Sequence, residues 1–283
     1  MNLFVIGVGL IGGSFCMDVK KSLPNAIIYG VDSNKKHLDT AQKNGLIDSV
    51  ATLEDLAIAT IVLISIPVTA TATLLPDILD RISDDTLVMD VGSTKVAICE
   101  AVATHKNRRN FLAMHPIAGT EFSGPSAAVH KLFYGKTNII CEVEKTAFKL
   151  QEQAMKIFMA LGMRIRYMDP VSHDKHIAYV SHLSHISSFM LGKTVIQKEK
   201  NEKDIFDMAG SGFASTVRLA KSSPDMWGPI FKQNKDNVVE ALTEYINNLS
   251  HFKNLLQNDD FEGIHKEMED INHIKLILKG IEA

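Results

Sequence analysis

The sequence predicts an α/β fold in which a mostly parallel sheet, wound with helices on both faces, is followed by an all-helical region. Three observations carry this prediction. A glycine-rich turn directly follows the first apolar run, β-branched runs alternate with helical stretches up to about Met168, and strand signals stop from Asp169 onward. Such alternation is typical of parallel sheets that are covered on both faces. We therefore expect two domains, residues 1–168 and residues 169–283.

The first predicted unit is a strand, a glycine-rich turn, a helix and a second strand. The apolar run 3–6 precedes the turn GVGLIG at residues 7–12, and the apolar run 26–31 ends in Asp32. In this arrangement the first glycine permits a tight turn, the second lets the backbone approach a pyrophosphate, and the third lets the helix pack on the strand. The helix N-terminus then faces the phosphates. The unit predicts a Rossmann-like dinucleotide site, although the glycine spacing by itself also occurs in ordinary turns.

The acidic residue at the end of the second strand indicates which dinucleotide is bound. A carboxylate there accepts hydrogen bonds from the ribose hydroxyls and repels a 2′-phosphate, which favours NAD over NADP. The residues expected to bind the cofactor are Gly7, Gly9, Leu10, Ile11, Gly12, Asp32, Ser65 and Pro67.

The rest of the first domain continues the alternation. Strands are expected at residues 60–66, 86–90, 111–114 and 137–143, and helices at residues 69–81, 95–104 and 146–161. Ligands of such sheets bind at the carboxyl ends of the strands, so polar residues at those ends are candidate site residues.

The second region has the pattern of a helical domain. Pro170 can open a long helix that reaches about Lys198, and Ser223 resembles an N-cap before a proline. Apolar stripes then run from Val238 to Leu256 and from Phe261 to Ile274 on a final helix. Stripes of this length must be buried, which favours a homodimer formed through the helical domain.

The composition excludes several classes of function. The net charge of −3 offers no electrostatic case for nucleic acid or an anionic membrane, and no apolar run approaches a membrane span. The three cysteines are widely spaced and match no metal-ligand pattern, as expected for a reducing compartment. We expect a soluble, cytoplasmic protein that acts on a small molecule.

Two strand ends carry candidate catalytic residues. His115 follows the strand at 111–114, and a neutral imidazole there can accept a hydroxyl proton as hydride leaves the same carbon. Ser93 follows the strand at 86–90. Each residue also has a structural interpretation, because Ser93 could cap a helix and a histidine at a strand end can be a packing residue.

The helical region adds histidines and an arginine. His182 and His185 are three residues apart and share one helix face, as do His173 and His176. No cysteine or HExxH pattern completes a zinc site, so we expect no metal. Arg218 could hold a substrate carboxylate through two parallel hydrogen bonds, the alternative being a surface salt bridge.

Taken together, these segments resemble the prephenate/arogenate dehydrogenase family of tyrosine biosynthesis. The resemblance is carried by GVGLIGGS, DVGSTK, HPIAGTE, HD followed by SHLSH, and TVRLAKSSPDMW, in family order over essentially the whole chain. It implies that His115 accepts a hydrogen bond from the C4 hydroxyl of the substrate ring and that Ser93 orients His115. Substrate-binding roles are implied for Arg218, His182, His185, Glu121, Thr120 and Trp227.

The implied reaction is the NAD-dependent oxidative decarboxylation of prephenate to 4-hydroxyphenylpyruvate. One alternative is arogenate as substrate, which would give tyrosine directly. Arogenate carries an ammonium group, and the two histidines with no obvious acid beside them favour prephenate. A β-hydroxyacid dehydrogenase is a further alternative, but that class has a helical Lys with Asn four residues later, whereas Lys193 is followed by Gln197.

Overall fold

A computed structural model describes residues 1–282 of the chain. Its strands are β1 (Asn2–Ile6), β2 (Ile27–Val31), β3 (Ser49–Val50), β4 (Ile61–Ile64), β5 (Leu87–Asp90), β6 (Phe111–Pro116), β7 (Thr137–Cys141) and β8 (Arg164–Tyr167). Its helices are α1 (Leu10–Ser22), α2 (Lys35–Lys43), α3 (Val68–Arg81), α4 (Val96–Glu100), α5 (Phe148–Ala160), α6 (Pro170–Ile177), α7 (Leu183–Glu199), α8 (Ser211–Thr216), α9 (Pro224–Gln233), α10 (Lys235–Gln257), α11 (Phe261–Ile271) and α12 (Ile274–Glu282).

The strands form one sheet in the order β3-β2-β1-β4-β5-β6-β7-β8. Neighbouring strands are parallel except for β6 and β7, which pair antiparallel with His115 opposite Ile139. The mostly parallel, Rossmann-like sheet followed by helices confirms the predicted fold class. The strand order reverses between β1 and β4, and a crevice at such a reversal is where sheets of this type bind ligands.

The core lies on both faces of the sheet, as the alternation of side chains along a strand requires. In β1, Leu3 and Val5 belong to a buried cluster that also contains side chains of α1 and α5. Phe4 and Ile6 face the opposite cluster, which contains side chains of α3 and α9. Helices therefore cover both faces and leave the carboxyl edge of the strands for function.

A buried ion pair joins β5 to β6. Asp90 and Lys95 are fully buried and in direct contact, and the Lys95 ammonium also donates to the carbonyl of Met114 at 2.7 Å. The Asp90 carboxylate in turn accepts the backbone N–H groups of Gly92 at 2.8 Å and Met114 at 3.3 Å. The pair thus holds both backbone groups of the residue that precedes His115.

The chain forms two compact units, Met1–Lys235 and a second that begins at Asp236. The first contains the sheet and every candidate site residue. The functional division expected between residues 168 and 169 stays a prediction. No helix in the described part of the chain is long and apolar enough to cross a membrane.

Several elements differ from the sequence prediction. The pattern missed α2, β3 and β8, which are short or polar, and α4 ends at Glu100 instead of near residue 104. The expected long helix from Pro170 contains a π-helical turn at Ala178–His182 between α6 and α7. The prediction of a single final helix is wrong, because this part of the chain forms two helices, α11 and α12, separated by Asn272 and His273.

The apolar stripes of the second unit are only partly covered within one chain. Val238 and Ile264 are buried, whereas Leu249, Leu256 and Met268 are about half exposed. Exposed apolar faces of this kind are typical of interaction surfaces.

We expect Lys95→Met to lower the free energy of unfolding by about 3–5 kcal/mol, because it leaves the buried Asp90 carboxylate without its cation. Chemical denaturation of both proteins measures the change. The control is Lys149→Met, since Lys149 pairs with Asp85 on the surface and both side chains are more than three-quarters exposed. It should cost less than about 1 kcal/mol. Equal losses in the two variants would contradict a structural role for the buried pair.

Candidate active site

The turn after β1 has the shape that a bound pyrophosphate requires. Gly7 has φ +92°, and a Cβ there would lie 2.2 Å from the carbonyl oxygen of Ser65. A Cβ on Gly12 would lie 2.1 Å from the carbonyl oxygen of Gly7, whereas nothing lies within 4 Å of a Cβ built on Gly9. There is therefore no room for a side chain at Gly7, which lies against the end of β4, whereas the space beside Gly9 is open. Helix α1 begins there without a side-chain cap, so its first N–H groups suit an anion.

Asp32 stands beside this turn at the end of β2. One carboxylate oxygen accepts the N–H of Val8 at 3.2 Å and the other accepts the N–H of Asn34 at 2.8 Å. His37 lies 3.5 Å from the same carboxylate. A carboxylate has about four lone-pair positions, so two remain for the hydroxyls of a ribose.

The ends of β4 and β5 supply the next residues of the same edge. Ser65 follows β4 and is half-buried, and Pro67 is exposed at the start of α3. Ser93 is half-buried between β5 and α4, and its hydroxyl makes no hydrogen bond to His115 within residues 1–282. The orienting role expected for Ser93 stays a prediction.

His115 lies near the carboxyl end of β6 and is almost fully buried. Its pKa is held well below the usual 6.5, first because burial disfavours the imidazolium and then because a positive charge on His173, Lys95 or His182 would repel it. The ring is therefore neutral at neutral pH, the form that can accept a proton.

A second histidine and an acid extend from His115. Nδ1 of His115 lies 2.8 Å from Nε2 of His173, and Nδ1 of His173 lies 2.7 Å from Oδ1 of Asp174. The same carboxylate accepts the N–H groups of Lys95 at 2.7 Å and Val96 at 3.0 Å. All three side chains of the series are buried. The sequence interpretation had paired His173 with His176, and the structure leaves His176 exposed.

His182 and His185 gather around Trp227. His185 stacks on the indole with ring centroids 3.7 Å apart, and His182 meets it edge-on at 5.7 Å. Burial lowers the pKa of His182 to about 4 and also lowers the pKa of His185, so both rings are neutral at neutral pH. Nε2 of His182 and Nε1 of Trp227 are buried and have no hydrogen-bond partner within the described chain.

Arg218 is half exposed and donates to a carboxylate oxygen of Glu121 at 2.9 Å. The pKa of Glu121 is lowered, mainly by a hydrogen bond from its own backbone N–H and further by the Arg218 charge. Thr120 is exposed beside them, and its hydroxyl accepts the N–H of Phe122. Arg218 and Glu121 thus form an ion pair. Because only one hydrogen bond of the guanidinium goes to Glu121, other N–H donors of Arg218 remain for a further acceptor.

The segment after β6 that carries Glu121 is fastened to α1. Ser14 accepts the N–H of Val129 at 2.9 Å, and Asp18 contacts both the ring of His130 at 2.5 Å and the N–H of Lys131 at 2.9 Å. Asp18 is buried, whereas His130 and Lys131 are exposed. The helix that begins at the glycine turn thus also anchors this segment.

Sequence reasoning missed Asp174 and Lys95 as parts of the site and assigned His173 no role in it. The sequence did contain a signal that His173 is buried. It lies four residues before Ile177, so the two residues share the buried face of α6. Nothing in the sequence indicates that Asp174 would cap α4, because those two segments are far apart in the chain. Within the described residues, no group of three or more His, Cys, Asp or Glu side chains is arranged to hold a metal ion.

Comparison with known proteins agrees with this geometry. Residues 15–167 match the family described as prephenate dehydrogenase, nucleotide-binding domain, and residues 169–270 match prephenate dehydrogenase, dimerization domain. The chain is 30% identical over 267 residues to the prephenate dehydrogenase of Bacillus subtilis, covering 93% of this chain and 72% of that protein.

Two solved structures share the architecture. The prephenate dehydrogenase of A. aeolicus, in complex with hydroxyphenyl propionate and NAD+, superposes with a TM-score of 0.87 at 31% identity over 98% of both chains. The arogenate dehydrogenase of Synechocystis superposes with a TM-score of 0.76 at 26% identity, over 97% of this chain and 99% of that one. With both family regions matched in order, the chain belongs to the prephenate dehydrogenase family.

Proposed function

We propose that this protein catalyses the NAD-dependent oxidative decarboxylation of prephenate to 4-hydroxyphenylpyruvate. The observation that carries the proposal is a buried, neutral His115 at the carboxyl end of β6, on the sheet edge that also holds the glycine turn. Membership of the prephenate dehydrogenase family supports the ring chemistry. The same membership speaks against the β-hydroxyacid dehydrogenase alternative.

The residues of the turn fit a dinucleotide. The backbone at Gly7, Gly9 and Gly12 would hold the pyrophosphate, the N–H groups of Leu10 and Ile11 would face it, and Asp32 would bind the adenosine ribose. Ser65 and Pro67 would border the nicotinamide. When bound, NAD+ supplies the acceptor for the hydride.

His115 would accept the proton of the substrate's C4 hydroxyl as the hydride leaves C4. Breaking the bond to the C1 carboxylate releases CO₂, and its electron pair completes the aromatic ring. The phenolate oxygen then recovers the proton from the imidazolium of His115. Because aromatisation provides much of the driving force, the residues mainly align the substrate and stabilise charge on the hydroxyl oxygen.

Substrate recognition is assigned to the residues around the ion pair. Arg218 would bind a carboxylate, and Glu121 and Thr120 would border the entrance. His182, His185 and Trp227 would line the pocket, and the buried Nε2 of His182 and Nε1 of Trp227 have no hydrogen-bond partner within the described residues. Ser93 would contact the C4 hydroxyl.

Arogenate is the second candidate substrate, because an arogenate dehydrogenase shares the fold at 26% identity. Its ammonium group would need a carboxylate that is not already committed. Glu121 is paired with Arg218, and the lowered pKa values of His182 and His185 reflect a site that disfavours additional positive charge. These features favour prephenate.

A homodimer through the helical region is part of the proposal. The matched dimerization region spans residues 169–270, and α10 and α11 expose Leu249, Leu256 and Met268. A second copy of the chain would cover this apolar face, and light scattering of the purified protein measures the mass of the assembly.

We expect the purified protein to form NADH from prephenate and NAD+, followed at 340 nm, and to use NADP+ poorly because Asp32 repels a 2′-phosphate. Arogenate is tested in parallel under the same conditions. Turnover of arogenate alone would overturn the substrate assignment, and no turnover of either compound would overturn the proposed function.

We expect His115→Asn to lower kcat by about 10²–10⁴-fold, because the variant lacks the proton acceptor. Affinity for NAD+, measured by calorimetry, should be unchanged, since the glycine turn is untouched. The control is His176→Asn, which removes an exposed histidine and should retain full activity. Similar kcat values for wild type and His115→Asn would rule out His115 as the acceptor.

The pH dependence of kcat/KM follows from the lowered pKa of His115. Only the neutral ring accepts a proton, so activity is present above this pKa and lost as the pH falls through it. We expect a plateau from about pH 8 down to about pH 6.5 and a decline only at lower pH. Circular dichroism at each pH checks that the protein stays folded. An acid limb centred above about pH 6.5 would show that another group controls the rate.

A further inference from the structure

The buried series of His115, His173 and Asp174 has one consistent direction of hydrogen bonding. Asp174 accepts backbone N–H bonds on both oxygens, from Lys95 on one and Val96 on the other, which is the arrangement of a carboxylate that acts as an acceptor. His173 therefore donates its Nδ1–H to Asp174 across 2.7 Å.

This first bond determines the second. A neutral imidazole with its proton on Nδ1 has a lone pair on Nε2. Nε2 of His173 lies 2.8 Å from Nδ1 of His115, so His115 must donate from Nδ1. The lone pair of His115 is then on Nε2, the atom that remains for the substrate.

We propose that His173 and Asp174 are positioning residues that fix the tautomer of His115 and so present Nε2 as the proton acceptor. The inference extends the proposed function, since it supplies the reason that His115 is ready to accept. Neither positioning residue touches the substrate in this account. An acid that acts through a histidine to select a tautomer is known from the serine proteases, where replacing the acid by its amide lowers kcat about 10⁴-fold.

The position of Asp174 is itself fixed independently of His115. Its carboxylate caps the start of α4, and its backbone carbonyl accepts a hydrogen bond from the side chain of Asn234 at 2.6 Å. The residue that sets the direction of the series is therefore held by two other parts of the fold.

The decisive variant is Asp174→Ala, which removes the acceptor at the end of the series. Oδ1 of Asp174 accepts from both the His173 ring and the N–H of Lys95, so the amide oxygen of Asp174→Asn could keep both bonds, whereas alanine keeps neither. His173 is then free to carry its proton on either nitrogen. In part of the molecules His115 is therefore protonated on Nε2 and unable to accept from the substrate.

The direct test is nitrogen NMR of protein labelled with ¹⁵N-histidine, without substrate. Signals of His115 and His173 are assigned from their loss in His115→Asn and His173→Phe. We expect wild-type His115 to be protonated on Nδ1 alone and the Asp174→Ala protein to contain a mixture of His115 tautomers. Wild-type His115 protonated on Nε2, or an unchanged single tautomer in Asp174→Ala, would overturn the proposal.

Kinetics supplies a second readout. We expect Asp174→Ala to lower kcat by about 10²–10⁴-fold while KM for prephenate changes by less than about threefold, because the defect lies in proton acceptance and not in binding. His176→Asn, two residues along the same helix and on its exposed side, should leave both constants unchanged. A loss confined to KM would contradict the proposal.

A further variant covers the case in which Asp174→Ala does not fold. His173→Phe keeps a ring of similar shape but removes the acceptor of His115, so a mixture of His115 tautomers is expected in its NMR spectrum. A single Nδ1–H tautomer in this variant would overturn the proposal. Because the tautomer is read without turnover, failure of the proposed reaction would appear separately, as an absence of NADH formation by the wild type.

Discussion

The buried contact between Asp90 and Lys95 is the constraint on which the site depends. Its two side chains hold the backbone N–H and carbonyl of Met114, and the next residue is His115. An unpaired charge at this depth is strongly unfavourable, so the two residues stabilise each other only in this geometry. The backbone N–H of Lys95 also binds Asp174. One buried lysine therefore connects the end of β5, the end of β6 and α6.

The elements that the sequence predicted well are those with strong local signals. The unit from β1 to Asp32 has a glycine turn between apolar runs, and the interior strands β4 and β5 are continuous β-branched or apolar segments. Edge strands carry weaker signals, because β3 has two residues and β8 alternates arginine with apolar residues. Their pairing depends on neighbours that are distant in the chain, so local pattern could not reveal them.

The same distinction explains the site. His115 could be predicted because polar residues at a carboxyl edge of a parallel sheet are suggestive in themselves. Its hydrogen-bond partner His173 could not be predicted, because the two histidines are 58 residues apart in the chain. Only the packing of α6 beside β6 brings the two rings together. Ser93 is the opposite case. Its place at a strand end could be predicted from the sequence, but His115 forms its hydrogen bond with His173 and not with Ser93.

The attachment of the segment after β6 to α1 connects the glycine turn with the segment that carries Glu121. Ser14 and Asp18 lie on successive turns of the helix whose first turn borders the glycine motif. Glu121, on the segment that they anchor, meets Arg218. One helix therefore serves two purposes, because its first turn closes the glycine motif and its next turns hold the segment that meets Arg218.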